Sequence, residues 1–343
     1  MPHFSISKKV VLTQLKKCFE VADIVSYSSK TNPIVTKILE KEIEHCYFSI
    51  HFENELKHVK DKSRVLFLVQ GSNKEQINRL LNQGIVRYVV DNEADLDLLL
   101  DCLKDSDKKI KLMLRAKVKE NTIRTEKYYV FGMSSEVINK RIPELRDNPN
   151  IESLGVHFHK KTQNIAEWNL TYEVEQMFSK ETLEIISTIN IGGGLPSEYA
   201  NTNIKVMNGI FRRIKEFKEF ANKEDISVMI EPGRFICAPA GKLHTKIIAI
   251  HENTLIVDAS VYNSDLDALI VPVKLLVEGE LDKNEGKPFV IKGLTPCSMD
   301  LFRYKVYLKD PKIGHELVFL NAGAYNFTTN FCDLDEIETK IIE

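Results

Sequence analysis

From its start to about residue 235, the sequence alternates between short apolar runs and amphipathic helical stretches. Val65–Val69 is a continuous apolar run, which is typical of a strand buried on both faces. Residues 74–83 then follow a helical pattern, and Gly84 comes after them as a helix C-cap would. About eight such units recur at a spacing of roughly 20–25 residues, which indicates parallel strands joined by helical crossovers. The sequence therefore predicts an α/β protein with a closed (β/α)8 barrel, and an open doubly wound sheet is the alternative.

The pattern changes toward the C-terminal end of the chain. Runs such as Leu269–Val273 and Glu316–Leu320 are short, rich in β-branched residues and separated by turn residues. Because no helical period separates these runs, we expect them to be strands of a second, mostly-β domain over residues 236–343. The barrel domain is then expected to cover residues 1–235, with residues 1–20 as a candidate extension of the β domain.

Length and composition limit the function classes. The 343 residues are enough for two domains, and 43% hydrophobic with 28% charged residues is ordinary for a soluble protein. The net charge of -2 gives no general attraction to nucleic acid or to an anionic membrane. The sequence has neither a membrane-span pattern nor the apolar run of a secretory signal. Its scattered cysteines, without a CxxC pair, argue against a zinc cluster and a disulfide scaffold. We therefore expect a cytoplasmic protein with no metal and no nucleic-acid or membrane partner.

Chemically functional residues recur where the barrel strands are predicted to end. In (β/α)8 barrels, functional side chains come from the C-terminal ends of the strands. The residues at these positions are Lys30, Arg115, His159, Gly192, Gly193, Gly194, Glu231 and Arg234. Each one alone has an ordinary structural explanation, such as a strand-end lysine that extends into solvent or a tight turn.

Together these residues fit one cofactor. A lysine at the end of a buried strand can form a Schiff base with an aldehyde, because a desolvated amine loses its proton more easily. Glycine N–H groups and an arginine can bind phosphate, a carboxylate keeps a pyridinium nitrogen protonated, and a flat side chain holds the ring. Pyridoxal 5'-phosphate (PLP) has an aldehyde, a phosphate, a pyridinium nitrogen and a flat ring, one for each of these side chains. A barrel for FMN or a sugar phosphate would use the glycines and Arg234 but would leave Lys30 unexplained.

Several motifs carry a family resemblance over nearly the whole chain. These motifs are Tyr27–Pro33, Gly155–His159, Ile191–Pro196, Glu231–Arg234, Thr295–Asp300 and Asn321–Tyr325. In type and order they resemble those of the alanine-racemase-like barrel family of fold-type III PLP decarboxylases. That family includes ornithine, diaminopimelate and carboxynorspermidine decarboxylases.

The resemblance implies a role for each matching residue. Lys30 would be the cofactor lysine, His159 would stack on the ring, and Glu231 would contact the pyridinium nitrogen. Cys297, with Lys30 and His159, would complete the catalytic set. The implied cofactor-binding set is Lys30, Arg115, His159, Thr162, Gly192, Gly193, Gly194, Glu231, Gly233, Arg234 and Tyr325.

The sequence also departs from the family pattern. Where the family usually has a Gly-Ser run after the stacking histidine, this chain has Lys160–Gln163, in which Thr162 is the candidate replacement for the serine hydroxyl. Pro296 shifts Cys297 by one position, so Cys297 is either the catalytic cysteine or stands where a specificity residue would be. The family's carboxylate for a distal ammonium group has no match at Val271. The candidate substrate contacts are therefore Asp300, Tyr262 and Asp265.

The resemblance implies decarboxylation of a basic or diamino acid, or a conjugated derivative, to give an amine and CO2. It also implies a homodimer in which Cys297 of one subunit completes the active site of the other. A role in polyamine or siderophore biosynthesis would follow. Two alternatives stay open, namely an amino-acid racemase that uses Tyr262 or Tyr304 as a second base, and a non-catalytic PLP-binding protein. The Cys-x-x-Asp segment and the β domain favour the decarboxylase.

Overall fold

The computed structural model of the chain describes residues 1–104, 106–118, 131–159, 168–202 and 204–343. Its strands are β1 His3–Ser7, β2 Ile24–Ser28, β3 Tyr47–Ile50, β4 Val65–Val69, β5 Arg87–Val90, β6 Ile110–Arg115, β7 Ile151–His157, β8 Thr188–Asn190, β9 Ser227–Ile230, β10 Gly241–His251, β11 Thr254–Val257, β12 Leu276–Val277, β13 Lys287–Lys292, β14 Leu301–Leu308, β15 Glu316–Leu320 and β16 Glu338–Ile342. Its helices are α1 Lys8–Phe19, α2 Pro33–Glu42, α3 Lys74–Asn82, α4 Glu93–Lys104, α5 Ser135–Leu145, α6 Leu170–Met177, α7 Lys180–Ile185, α8 Met207–Lys223, α9 Arg234–Cys237, α10 Val261–Ser264 and α11 Asp267–Ile270.

The chain divides into two compact units, each built from separate stretches of sequence. The barrel unit consists of Leu15–Leu195 and Lys205–Gly233. The β unit consists of Met1–Gln14, Pro196–Ile204 and Arg234–Glu343. The domain limits expected from the sequence stay a prediction. None of the helices in the described ranges combines the length and apolar character that crossing a bilayer requires.

The barrel unit contains eight parallel strands, β2 to β9, that close into a barrel. Each strand pairs with the next one along the chain, and β2 pairs with β9 to complete the circle. A buried cluster joins side chains from four of these strands, namely Leu66, Val89, Met113 and Met229. The predicted (β/α)8 barrel is confirmed, and the open doubly wound sheet is excluded.

The first crossover of the barrel begins with a well-defined helix start. Asn32 caps α2, because its side-chain oxygen accepts a hydrogen bond from the backbone N of Ile34 at 3.0 Å. Pro33 occupies the first helical position, where a missing N–H has no intrahelical partner to lose. The residues between β2 and this cap, Ser29–Thr31, are therefore confined to a single 3-10 turn. This short turn contains Lys30.

The β unit is built on an eight-stranded sheet that contains β10 to β16 and the N-terminal strand β1. The prediction that the second domain is mostly β is confirmed. The run Leu269–Val273, expected to be a strand, instead overlaps the helical turn α11. Pro272 lacks an N–H for a strand ladder, and Ser260 caps the preceding turn α10 by accepting from Tyr262 N at 3.1 Å.

Candidate active site

Lys30 lies at the carboxyl end of β2, within a turn whose other residues are buried. Ser29 and Thr31 are inaccessible to solvent, whereas Lys30 is exposed. The expectation of a lysine desolvated by burial is therefore wrong for this chain, and the amine is accessible to an incoming aldehyde. Gly233 lies against this turn so closely that a Cβ at that position would overlap Thr31 Oγ1. Gly233 thus allows the end of β9 to approach the lysine turn.

His51 lies beside Lys30 because of the register between two neighbouring strands. Ser28 of β2 pairs with Ser49 of β3, and Lys30 and His51 each follow two residues later. Glu55 fixes the loop after β3, since its Oε1 accepts a hydrogen bond from His51 N at 3.2 Å. Burial, and then the charge of Lys30, lower the pKa of His51 to about 3. A neutral imidazole therefore neighbours the lysine. His51 was not predicted as a site residue, although it is a polar residue directly after a buried strand.

Glu231 follows β9, and its carboxylate has polar partners on neighbouring strands. Its Oε1 accepts a hydrogen bond from Asn190 Nδ2 at 2.6 Å and lies 3.6 Å from His157 Nε2. Burial raises the pKa of Glu231, and hydrogen bonds from Asn190 and Ser49 oppose that rise. Burial also holds the pKa of His157 well below its ordinary value, so this imidazole is neutral. No role was predicted from the sequence for Asn190, whereas His157 belongs to the Gly155–His159 motif.

The glycine triplet packs against His159 and the end of β9. A Cβ at Gly192 would lie 2.7 Å from His159 Nδ1, and a Cβ at Gly193 would lie 2.7 Å from the carbonyl oxygen of Glu231. Gly192 and Gly194 have φ values of +70° and +90°, a region that side chains disfavour. The loop therefore needs glycine both for its backbone conformation and for the close approach of its neighbours.

The N–H groups of this loop already have acceptors within the protein. Gly193 N donates to His159 Nδ1 at 3.0 Å, and Gly192 N donates to Asn190 Oδ1 at 2.9 Å. The first bond requires an unprotonated Nδ1, so a neutral His159 carries its proton on Nε2. The phosphate contacts expected from Gly192 and Gly193 stay a prediction.

Arg115 ends β6 and forms an ion pair at the same edge of the barrel. Its Nη1 lies 2.9 Å from Asp91 Oδ1, and its guanidinium carbon lies 4.8 Å from the centre of the Phe131 ring. Burial raises the pKa of Asp91, and Arg115 opposes that rise. In the β6–β7 register Arg115 pairs with His157. These contacts fix Arg115 near the other strand-end residues, and its contact with the cofactor stays a prediction.

In the β unit, Arg234 is the centre of a polar and aromatic cluster. Its Nη1 donates to the hydroxyl of Tyr199 at 2.9 Å and also to Asp267 Oδ2. The guanidinium carbon lies 4.9 Å from the ring centre of Tyr325. The structure thus brings together Arg234 and Tyr325, both of which belong to the cofactor-binding set that the family resemblance implies. Tyr199 and Asp267 are further members of this cluster.

Cys297 and Tyr262 form a hydrogen-bonded pair in the β unit. The Tyr262 hydroxyl oxygen lies 3.1 Å from Cys297 Sγ. This bond lowers the pKa of the Cys297 thiol and raises the pKa of Tyr262 to about 12. The Tyr262 ring also stacks on Phe331 with 4.1 Å between ring centres. A thiol with a lowered pKa is better suited to proton transfer near neutral pH.

The two aspartates considered as substrate contacts are both buried in the β unit. Asp300 accepts hydrogen bonds from Val261 N at 2.9 Å on one oxygen and from Thr295 N and Oγ1 at 3.0 and 2.7 Å on the other. These bonds occupy both carboxylate oxygens, so Asp300 organises its own loop. Asp265 differs, because its Oδ2 has no hydrogen-bond partner among the described residues. Burial, and then Asp267, raise the pKa of Asp265 well above its ordinary value.

The barrel unit has unsatisfied polar atoms where a polar ligand would bind. Thr31 Oγ1, His51 Nδ1 and His157 Nδ1 are buried without a hydrogen-bond partner in the part of the chain that the structure describes. Their residues lie at the carboxyl ends of β2, β3 and β7, and buried polar groups normally have partners. A ligand made of a pyridine ring with a hydroxyl and a phosphate would offer hydrogen-bond partners to these atoms. Thr162, another residue of the implied cofactor-binding set, lies outside the described residues.

A sequence profile decides the family. The profile described as "Pyridoxal-dependent decarboxylase, pyridoxal binding domain" matches residues 6–238. The chain belongs to the pyridoxal-dependent decarboxylase family. This confirms the resemblance seen in the motifs, the PLP cofactor and the assignment to amino-acid decarboxylation. The profile ends just after the Glu231–Arg234 motif, so it covers the barrel strands and the residues at their ends.

Individual relatives of this decarboxylase agree with the family. The chain is 26% identical over 304 residues to 2-[(L-alanin-3-ylcarbamoyl)methyl]-2-hydroxybutanedioate decarboxylase of Staphylococcus aureus, covering 80% of this chain and 75% of that one. It is 22% identical over 291 residues to diaminopimelate decarboxylase of Campylobacter jejuni, covering 77% and 69%. The fold matches the crystal structure of lysine/ornithine decarboxylase from Vibrio vulnificus complexed with cadaverine, with a TM-score of 0.80 and 21% identity over 100% of this chain and 95% of that chain.

We predict that Gly192→Ala weakens PLP binding by at least about tenfold, because the new Cβ would overlap His159 and the Phe158 carbonyl. Gly71→Ala is the matched control, since Gly71 has a similar φ of +64° but no neighbour within 4 Å of the added Cβ. Both changes add left-handed backbone strain of about 1 kcal/mol, and only the first disturbs the loop. Titration of the apoprotein with PLP measures both dissociation constants. Equal affinities in the two variants would contradict the packing argument.

Proposed function

We propose that this enzyme removes the α-carboxylate of a basic or diamino acid, or of a conjugated derivative, to give an amine and CO2. The observation that carries the proposal is the convergence of Lys30, His159 and Glu231 at one edge of the barrel. Lysine, ornithine and diaminopimelate appear in the names of its relatives. The name of the Staphylococcus aureus relative describes an amino acid joined by an amide to a hydroxydicarboxylate, which supports the conjugated class. Polyamine or siderophore biosynthesis is the proposed setting.

Each barrel residue has a proposed task in this reaction. Lys30 would hold the cofactor through Nζ. Bound PLP supplies a sink for the electron pair that CO2 leaves behind. Glu231 would accept a hydrogen bond from the protonated ring nitrogen. His159 would stack on the ring, and the hydrogen bond from Gly193 N fixes the orientation of its imidazole.

Arg234 and Tyr325 are proposed to bind the phosphate. The cluster presents a guanidinium oriented by Asp267 and Tyr199, and arginine suits bidentate recognition of phosphate. Asp265 is a proposed substrate contact in the β unit, because one of its oxygens lacks a partner among the described residues. Asp300 stays a proposed substrate contact, and its carboxylate oxygens also accept hydrogen bonds from Val261 and Thr295.

Cys297 of a second subunit is proposed to donate the proton to Cα after CO2 leaves, with the enzyme acting as a homodimer. An interface at this cysteine is supported by Met299, which lies two residues further along the chain and is 58% exposed. The hydrogen bond to Cys297 raises the pKa of the Tyr262 hydroxyl, which disfavours Tyr262 as the second base of a racemase.

The proposed compartment is the cytoplasm. Each of the six cysteines is a free thiol, and four of them, Cys18, Cys46, Cys102 and Cys237, are buried. Free thiols persist where glutathione and thioredoxin keep the environment reducing. The lowered pKa of the Cys297 thiol also makes this residue oxidisable, so its proposed role in proton transfer favours a reducing compartment.

We predict CO2 release from the PLP-loaded protein with at least one member of a panel of amino acids. The panel contains both enantiomers of ornithine and lysine, together with arginine, meso-diaminopimelate, glutamate and carboxynorspermidine. Lys30→Ala should abolish release, whereas Lys37→Ala, which changes another exposed lysine, should not. Undiminished release by the Lys30 variant, or racemisation without release, would contradict the proposal.

Shared active sites predict complementation between two variants. Lys30→Ala is inactive, and Cys297→Ala is expected to lose about 10²–10⁴-fold in turnover, the range for a lost general acid. In an equal mixture that has exchanged subunits, half of the dimers carry one site with both Lys30 and Cys297 intact. Activity should therefore recover to roughly a quarter of the wild-type value. No recovery after verified subunit exchange would show that each site is complete within one chain.

A further inference from the structure

Asn190 connects two parts of the site. It is the last residue of β8, and its side chain is fully buried. Nδ2 donates to Glu231 Oε1 at 2.6 Å, and Oδ1 accepts from Gly192 N at 2.9 Å. The backbones of these two partners are also joined, since Glu231 N donates to Gly192 O at 2.8 Å. A single amide side chain thus links the carboxylate to the first glycine of the loop.

We propose that Asn190 is a positioning residue that orients the Glu231 carboxylate toward the ring nitrogen of PLP and couples it to the glycine loop. The inference rests on the proposed role of Glu231. Asn190 acts through Glu231, so its effect should depend on the ring nitrogen of the cofactor. A side chain with a purely structural role would affect all ligands of the site alike.

The charges around Glu231 explain why an amide suits this position. The carboxylate faces the cations of Lys30 and Arg115 and the neutral imidazole of His157. Burial raises the pKa of Glu231, and the bond from Asn190 is the largest influence in the opposite direction. A neutral donor stabilises the ionised carboxylate without adding charge. The ionised form is the one that can accept a hydrogen bond from a protonated ring nitrogen.

Two substitutions separate the two bonds of Asn190. Asn190→Asp keeps an oxygen that can accept from Gly192 N but replaces the donor to Glu231 with a second acceptor. Asn190→Ala removes both bonds and adds no charge. Glu231 must be ionised for activity, so both variants should move the acid limb of the kcat/KM profile to higher pH. The shift should be larger for Asn190→Asp, about one pH unit or more, because a like charge raises the pKa of its neighbour. A larger shift for Asn190→Ala would overturn the proposal.

A binding measurement tests the same inference without turnover. Wild-type apoprotein is titrated with PLP and with a carba analogue in which C–H replaces the ring nitrogen. The preference for PLP is the ratio of the dissociation constant of the analogue to that of PLP. This ratio should fall about tenfold in Asn190→Asp, while the affinity for the analogue stays near its wild-type value. Equal weakening for both ligands, or an unchanged preference, would overturn the proposal. Because no substrate is involved, this result is independent of whether the protein decarboxylates an amino acid.

Asn150→Asp is the matched control. Asn150 also donates through Nδ2, to the carbonyl oxygens of Ser106 at 2.9 Å and Lys108 at 3.1 Å. Its change to aspartate should leave both the ligand preference and the acid limb at their wild-type values. If Asn190→Asp does not accumulate as folded protein, Asn190→Ala carries the binding test. The preference of Asn190→Ala for PLP over the analogue must then fall, and an unchanged preference overturns the proposal.

Discussion

Parallel hydrogen bonding between β2 and β9 is the interaction on which the candidate site depends. In a closed parallel barrel the carboxyl ends of all strands meet at one edge, so residues distant in sequence become neighbours. Lys30 follows β2 and Glu231 follows β9, and the β2–β9 pairing closes the barrel between them. Ser28 and Ser49 pair in register, which sets His51 beside the lysine. The chemistry therefore follows from strand register rather than from any single loop.

Burial at this edge makes the charge balance sensitive to individual hydrogen bonds. A charged side chain loses favourable solvation there, and ionised groups persist only with partners. Burial lowers the pKa values of His51 and His157, so both imidazoles are neutral, while Asp91 pairs with Arg115. Glu231 depends on donors to remain ionised. A cofactor that needs a protonated ring nitrogen and a dianionic phosphate suits such a site, because its charges complement the available partners.

Much of the fold was predictable from sequence, because strands buried on both faces are continuous apolar runs and the crossover helices have their own period. The lysine turn and the glycine loop were predictable from residue type and resemblance. Asn190 was missed since its role depends on the pairing of β8 with β9 and on a contact 41 positions along the chain. The hydrogen bonds that Asp300 accepts from Val261 and Thr295 could not be predicted, because they depend on how the Thr295–Asp300 segment folds against Val261. The exposure of Lys30 also could not be inferred from its apolar neighbours.

The most direct test of this account is to find which lysine bonds to the cofactor. The PLP-loaded protein is reduced with sodium borohydride, digested, and analysed by peptide mass spectrometry. The account predicts a phosphopyridoxyl group on Lys30 in stoichiometric amount. Stoichiometric labelling of another lysine, or no labelling of protein that has bound PLP, would contradict the central claim.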